Sequence, residues 1–150
     1  MSPLRTEVFE PSGFAPREAR LFAAPAGLHL EPSAWRALVA TQADALIIGD
    51  RYAITQVLNH VWWTLHKPIF WIDSHRLCWL PEACKSTLIL EHAHELKMSD
   101  QGRFLDWLSA GSQSPRVIAT ASRPLSPLVE AGAFSRSLYD RIAAVHLTAA

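Results

Sequence analysis

The sequence has few cysteines, no net charge and no long apolar run, and each absence excludes a class of protein. Its two cysteines, Cys78 and Cys84, stand six residues apart, which is the spacing of neither a zinc knuckle nor a redox pair. We expect reduced, buried thiols instead of a disulfide scaffold. Lysine plus arginine equals aspartate plus glutamate, with 14 of each, so the charge does not favour direct binding to nucleic acid.

Membrane association and export are equally unsupported. The chain holds no run of about 18 apolar residues, the length that crosses a bilayer. Its amino-terminal segment lacks the charged and apolar regions of a signal peptide, and we therefore expect a cytoplasmic protein. A net charge near zero gives little protection against association, which favours a protein partner or a homo-oligomer.

The chain divides into a proline-rich arm and one domain. Residues 1–32 hold five of the ten prolines and no sustained periodicity, which predicts an irregular arm. Residues 33–150 are enough for a single α/β domain. Short apolar runs predict strands at 45–48, 69–72, 87–90, 116–120 and 145–147. Helical periodicity predicts helices at 33–41, 53–66, 99–110, 127–131 and 135–143, with Ser33 and Ser99 as N-caps and Gly111 as a stop.

Strands that are continuously apolar predict a sheet covered on both faces, and their alternation with helices predicts parallel pairing. We expect a three-layer α/β domain with a central, mostly parallel five-stranded sheet. Ligands of such sheets bind beyond the carboxyl ends of the strands. Those ends are Gly49-Asp50, Asp73-Ser74, Glu91-His92 and Thr120–Ser122.

Four blocks of the sequence follow a known order and spacing. Residues 86–96, STLILEHAHEL, are similar to the Walker B segment GTLFLDEIGEL; residues 116–125, RVIATASRPL, to RVIAATNRDL; and residues 131–142, AGAFSRSLYDRI, to EGRFREDLYYRL. The run LIIG at 46–49 falls where the strand before a Walker A loop stands. Over about residues 44–147 the chain thus resembles the sigma-54 interaction domain, the AAA+ ATPase domain of bacterial enhancer-binding transcription activators. The resemblance implies a P-loop NTPase-like fold.

The resemblance places a Walker A loop at residues 49–56, GDRYAITQ, where the chain departs from the family pattern. A P-loop needs glycines whose backbone N–H groups wrap the phosphates, a lysine for the β and γ oxygens, and a hydroxyl for magnesium. Tyr52 and Ile54 stand at glycine positions, and Thr55 stands at the lysine position. A vestigial nucleotide site would consist of Gly49, Asp50, Arg51, Thr55, Gln56, Glu91 and His92.

The catalytic positions that the resemblance implies are also changed. Glu91 stands at the magnesium-side aspartate, His92 at the glutamate that activates water, and Ser122 at the sensor asparagine. Ser135 stands at the first arginine-finger position, so the vestigial finger region that remains for interaction is Arg136 and Arg141.

Two further features of the family are missing from the sequence. The GAFTGA loop, which contacts the sigma factor, is absent, and the chain ends at Ala150, before the family's helical lid. We therefore expect a pseudo-ATPase without catalytic residues, cofactor or metal. It would be a non-catalytic regulatory or protein-interaction module, linked to transcription regulation.

Two alternatives remain open. The first is a nucleotide-responsive regulator that binds ATP or ADP weakly without efficient hydrolysis, through Arg51, Thr55 and Glu91. The second is a small metal-dependent enzyme using Glu91, His92 and His94, because a His-x-His run at a strand end offers imidazole ligands for zinc.

Tryptophan is frequent, with six residues of this type. Trp62 and Trp63 are consecutive on a predicted helix and must point in different directions. We expect one of them in the core; the other, with Trp71 and Trp79, is a candidate for an exposed aromatic patch of the kind that marks partner sites. For any single tryptophan a core position that covers the sheet is the more common alternative.

Overall fold

The computed structural model describes residues 23–77, 79–81, 85–110 and 115–150. The predictions for most of the amino-terminal arm, for Cys78 and Cys84, and for Gly111 lie outside these residues. Within them, no helix has the length and apolar character needed to cross a membrane.

The described chain holds five strands and five α-helices. The strands are β1 (Ala45–Ile48), β2 (Ile69–Asp73), β3 (Thr87–Glu91), β4 (Arg116–Ala121) and β5 (Val145–Thr148). The helices are α1 (Pro32–Ala40), α2 (Arg51–Val61), α3 (Met98–Ser109), α4 (Ser126–Glu130) and α5 (Arg136–Ile142). Single turns of 3-10 helix lie at Trp62–Thr64, Ser74–Arg76 and Ala93–Glu95.

The strands form one sheet in the order β2-β3-β4-β1-β5. Every pair of neighbours is parallel, so the predicted five-stranded α/β sheet is confirmed. Because all the strands run in one direction, their carboxyl ends lie along the same edge. The register places Asp73 beside Glu91 and Ile48 beside Ala121.

Helices cover both faces of the sheet, as continuous apolar strands predict. Alternate residues of β1 enter opposite cores: Leu46 and Ile48 join one buried cluster with Phe104 and Leu138. Ala45 and Ile47 join the other cluster, with residues of α1 and α2 such as Trp35 and Val57. Fully burying an aliphatic side chain of this size contributes about 1.5–3 kcal/mol, so these two layers account for the stability of the central strands.

Strand β2 differs from its prediction as a fully buried strand. It lies at the edge of the sheet, and of its five residues only Ile72 is buried. Helix α2 ends at Val61, and both Trp62 and Trp63 are exposed, so the expectation that one of them is in the core was wrong. The Trp62 and Trp71 rings lie against each other, with centroids 6.0 Å apart.

The predicted serine caps were also wrong. The side chain of Glu31, not Ser33, caps α1 by accepting a hydrogen bond from the Ala34 N–H at 2.7 Å. Helix α3 begins at Met98, one residue before Ser99, with no side-chain bond at its cap. A carboxylate accepts this bond as well as a hydroxyl does. The residue types alone therefore did not show whether Glu31 or Ser33 would cap the helix.

Candidate functional site

A cleft of about 370 Å³ opens at the carboxyl edge of the sheet, between α2 and the strand ends. Its lining includes five residues predicted for the vestigial nucleotide site: Gly49, Arg51, Thr55, Glu91 and His92. Asp50 and Gln56 do not line the cleft. The lining also includes seven residues outside the predicted vestigial nucleotide site, namely Ile54, Leu58, Trp71, Asp73, Thr120, Ala121 and Ser122.

The turn between β1 and α2 consists of two residues, Gly49 and Asp50. The Asp50 side chain caps α2 by accepting a hydrogen bond from the Ala53 N–H at 2.7 Å. The first N–H groups of a helix carry partial positive charge and are the groups that bind phosphate in P-loop proteins. Here a carboxylate of the protein itself lies at that helix terminus and takes one of these donors.

Gly49 is required by packing against the carboxyl-terminal residues. A Cβ at this position would lie 2.6 Å from the backbone oxygen of Ala149. The Gly49 N–H donates to the Ala121 oxygen at 3.0 Å, and the Ala149 N–H donates to the Ile48 oxygen at 2.7 Å. The close approach of two backbones therefore explains the glycine without any phosphate.

Residues 51–56, which the family resemblance aligns with a Walker A loop, belong to helix α2; helical periodicity predicts this helix from residue 53. Arg51 is its first residue and lines the cleft. The Thr55 hydroxyl donates to the Arg51 backbone oxygen at 2.8 Å, so it is satisfied within the helix. Tyr52 is exposed, and Ile54 is half-buried against the cleft.

The ends of β2 and β3 bring a carboxylate and two imidazoles together. His92 has a left-handed backbone (φ 58°, ψ 44°), which is uncommon outside glycine. Its Nδ1 lies 3.0 Å from Asp73 Oδ2, and His75 Nδ1 lies 3.0 Å from Asp73 Oδ1. The hydrogen bond from the His75 backbone N–H, with a smaller effect of the His92 side chain, lowers the pKa of Asp73 below its ordinary value.

His94 lies deeper than its neighbours. Its side chain is 6% exposed, and its Nε2 lies 3.2 Å from the Ser122 hydroxyl oxygen. Its Nδ1 is buried with no hydrogen-bond partner in the described part of the chain. Burial lowers the pKa of His94, which favours the neutral ring.

The predicted trio of Glu91, His92 and His94 is not the group that the structure brings together as metal ligands. Among the described residues, Asp73, His75 and His92 are the three whose ligand atoms lie within 4.8 Å of one another. Sequence reasoning missed Asp73 and His75 as ligands, although it placed Asp73 at a strand end. The missing information was the pairing of β2 with β3, which puts Asp73 next to the Glu91-His92 turn.

The vestigial finger arginines lie apart from the cleft lining. Arg141 Nη2 donates to the Leu108 backbone oxygen at 3.0 Å, and its Nε lies 3.5 Å from Asp44 Oδ2. Asp44 directly precedes β1, at the opposite edge of the sheet from the cleft, and its burial raises its pKa. Arg136 is exposed on the first turn of α5. Ser135 caps that helix by accepting a hydrogen bond from the Leu138 N–H.

The strand order and the cleft at the carboxyl edge define an AAA+-type α/β domain. The family model of the Sigma-54 interaction domain matches residues 65–149, more than half of the chain. The chain therefore belongs to the sigma-54 interaction domain family, as its sequence blocks predicted. No curated protein sequence matches it.

Solved structures of NtrX from Brucella abortus are similar to this chain. The complex with ATP has a TM-score of 0.59 and 15% sequence identity, over 91% of this chain and 36% of that one. The complex with ADP has a TM-score of 0.57 and 15% identity, over 72% and 32%. The chain thus spans about a third of the NtrX chains that it matches. At this identity the likeness shows the fold alone.

Proposed function

We propose that this domain is a pseudo-ATPase, a non-catalytic member of the sigma-54 interaction domain family that regulates transcription through protein contacts. The observation that carries the proposal is the cap of α2, where the Asp50 carboxylate binds the Ala53 N–H at 2.7 Å. A role in transcription regulation implies a cytoplasmic location.

The cap argues against a bound triphosphate for two reasons. A carboxylate at the helix terminus competes for the backbone donors and repels the phosphate charge. The two-residue turn also leaves no loop of glycines to wrap the phosphates. Arg51 lines the cleft as the first residue of α2, but a single exposed cation does not replace the donors of a whole loop.

The residues at the end of β3 support the absence of hydrolysis. Hydrolysis in P-loop proteins requires a side chain that orients or deprotonates the attacking water. His92 stands at that position by the family resemblance, and its Nδ1 lies 3.0 Å from Asp73. The carboxylate of the family pattern is therefore replaced at the end of β3 by an imidazole that is bonded to Asp73.

Protein contact is supported by the surface of the domain. Large apolar side chains are exposed at Tyr52, Trp63, Trp71, Trp79 and Met98, and aromatic side chains of this kind are enriched at interfaces. The partner would be a second copy of the chain or an active AAA+ ring. Arg136 is the exposed arginine on α5 that would reach a neighbouring subunit, since Arg141 is held by Asp44 and Leu108.

Calorimetric titration of the full chain with ATP and with ADP, each with Mg²⁺, tests the proposal. We expect no heat of binding up to millimolar nucleotide and no phosphate release above a blank without protein. An Arg51→Ala variant should behave as the unsubstituted chain does. Micromolar affinity that the substitution abolishes would overturn the proposal.

A nucleotide-responsive regulator is the second candidate, favoured by the cleft that collects Gly49, Arg51, Thr55, Glu91 and His92. NtrX structures with ATP and ADP share the fold, which makes weak binding plausible. Binding to the folded state raises the melting temperature. A rise with nucleotide, without turnover, would favour this candidate over the first.

A further inference from the structure

A cluster of three metal-ligating side chains lies at the carboxyl ends of β2 and β3. Asp73, His75 and His92 each offer one ligand atom, and these atoms lie within 4.8 Å of one another. We infer that the cluster binds a divalent transition-metal ion of the zinc type, for which imidazole and carboxylate are regular ligands. This inference does not depend on the proposed function.

The fold brings the three residues together from separate segments. Asp73 is the last residue of β2 and lies beside Glu91, the last residue of β3. The Asp73 carboxylate accepts the His75 backbone N–H at 2.9 Å, which starts the 3-10 turn that carries His75. The left-handed backbone of His92 turns the chain directly after β3, and its Nδ1 lies near Asp73 Oδ2.

The distances suit a shared ion. Each of the two Nδ1 atoms lies 3.0 Å from an oxygen of Asp73. In a tetrahedral zinc site with bonds of about 2.0–2.1 Å, neighbouring ligand atoms lie roughly 3.3 Å apart. The two imidazole rings are stacked, with centroids 5.9 Å apart. Small side-chain adjustments would admit the ion.

The surroundings of His75 supply a second argument. Its Nδ1 lies 3.0 Å from Asp73, and its Nε2 lies 2.7 Å from Glu95 Oε1. A neutral imidazole carries one N–H and can donate to only one of these carboxylates. With a metal ion bound, Nε2–H donates to Glu95 while Nδ1 and Asp73 share the ion. A carboxylate on the second ring nitrogen is the usual support of a metal-binding histidine.

The cluster is open to an ion from solvent. The side chains of His75, His92 and Asp73 are 58%, 49% and 30% exposed. Asp73 and His92 also line the cleft, so a fourth coordination position would be available to water or to an anionic group there. Three protein ligands with one open position is the arrangement of zinc sites that exchange a ligand.

Titration of the metal-free full chain with Zn²⁺, against a chromophoric chelator, tests the inference. We expect one ion per chain and an affinity reduced about tenfold or more by His92→Asn, since asparagine tolerates the left-handed backbone. His75→Gln should weaken binding in the same way. His146→Gln, on the exposed side of edge strand β5, is the matched control and should leave the affinity unchanged.

Two further measurements keep the outcome decisive. The absorption spectrum of the chain loaded with Co²⁺ in place of Zn²⁺ should show the visible bands of a site with nitrogen and oxygen ligands, without the charge-transfer band of a thiolate ligand. A Cys78→Ser, Cys84→Ser chain should retain the ion. Three results would each overturn the inference: absence of Zn²⁺ binding, an affinity in the His92→Asn and His75→Gln chains equal to that of the unsubstituted chain, or loss of the ion when the cysteines are replaced.

Discussion

The backbone of Gly49 lies directly against the backbone oxygen of Ala149, so close that a Cβ on residue 49 would be 2.6 Å from that oxygen. This contact joins the turn after β1 to the residue that follows β5. The glycine that the family resemblance assigns to a Walker A loop therefore has a packing role here.

Gly49→Ala should destabilise the domain by about 1–3 kcal/mol, because the added methyl group meets backbone that cannot move freely. Gly102→Ala is the matched control: Gly102 lies on α3 with nothing within 4 Å of an added Cβ. That change should stabilise the helix by about 0.5–1 kcal/mol. Urea unfolding measures both, and equal effects at the two positions would contradict the packing argument.

Asp50→Ala should lower the free energy of unfolding by about 1 kcal/mol, because it removes the cap of α2. Asp50→Asn should cost less, since asparagine is an equally good N-cap. Thermal unfolding of the three chains checks the order. If alanine and asparagine proved equally harmful, the charge of Asp50, and not its hydrogen bond to Ala53, would be the stabilising feature.

Gln101→Leu should destabilise the domain by roughly 3 kcal/mol, since it leaves several buried groups without partners. The Gln101 side chain is buried and donates to the Leu96 oxygen at 2.8 Å and the Ala133 oxygen at 3.0 Å. It also accepts the Ser135 N–H at 2.7 Å, and so connects α3 to the start of α5. Exposed Gln42 is the control, and its change to leucine should have little effect on unfolding.

Asp44 should make the free energy of unfolding decrease as pH rises, whereas a salt-bridged carboxylate makes it increase. Its burial raises its pKa, so the folded state holds the proton over a range in which the unfolded state has lost it. The contribution of Asp44 is therefore largest below the ordinary aspartate pKa, about 3.9, and decreases as pH rises through the raised value.

A comparison with Asp44→Asn isolates this effect, because asparagine can still accept the Val117 N–H that Asp44 binds at 2.9 Å. The free energy of unfolding of the unsubstituted chain, minus that of the variant, should fall as pH rises above the ordinary aspartate pKa of about 3.9. Urea titrations at several pH values measure the difference. A difference that rises with pH would show that the Arg141 ion pair outweighs burial.

Much of the fold follows from local sequence patterns. The run at 45–48 is apolar throughout, the run at 87–90 is apolar after Thr87, and both are strands with those starts in the structure. Helix α2 starts two residues earlier than its periodicity suggested, because the cap by Asp50 recruits Arg51 and Tyr52 into the first turn. Helix starts depend on which nearby oxygen reaches the free N–H groups, and several oxygens are available in each case.

The candidate site was only partly predictable, because part of it depends on which strands are neighbours in the sheet. The strand ends were identified from the sequence, and five of the predicted residues do meet in the cleft. The partnership of Asp73 with His92 joins residues 19 positions apart and depends on β2 lying beside β3. No local pattern distinguishes that neighbour from the other strands.

The sequence by itself determined the class of fold and the family, because apolar periodicity and short motifs are local properties that survive low overall identity. Only the tertiary structure decided that Asp50 caps α2, that Gly49 packs on Ala149, and that Asp73, His75 and His92 converge. The cap joins residues only three positions apart and depends on the backbone of the turn after β1. The other contacts join distant segments, and strand order and register set them only once the sheet has formed.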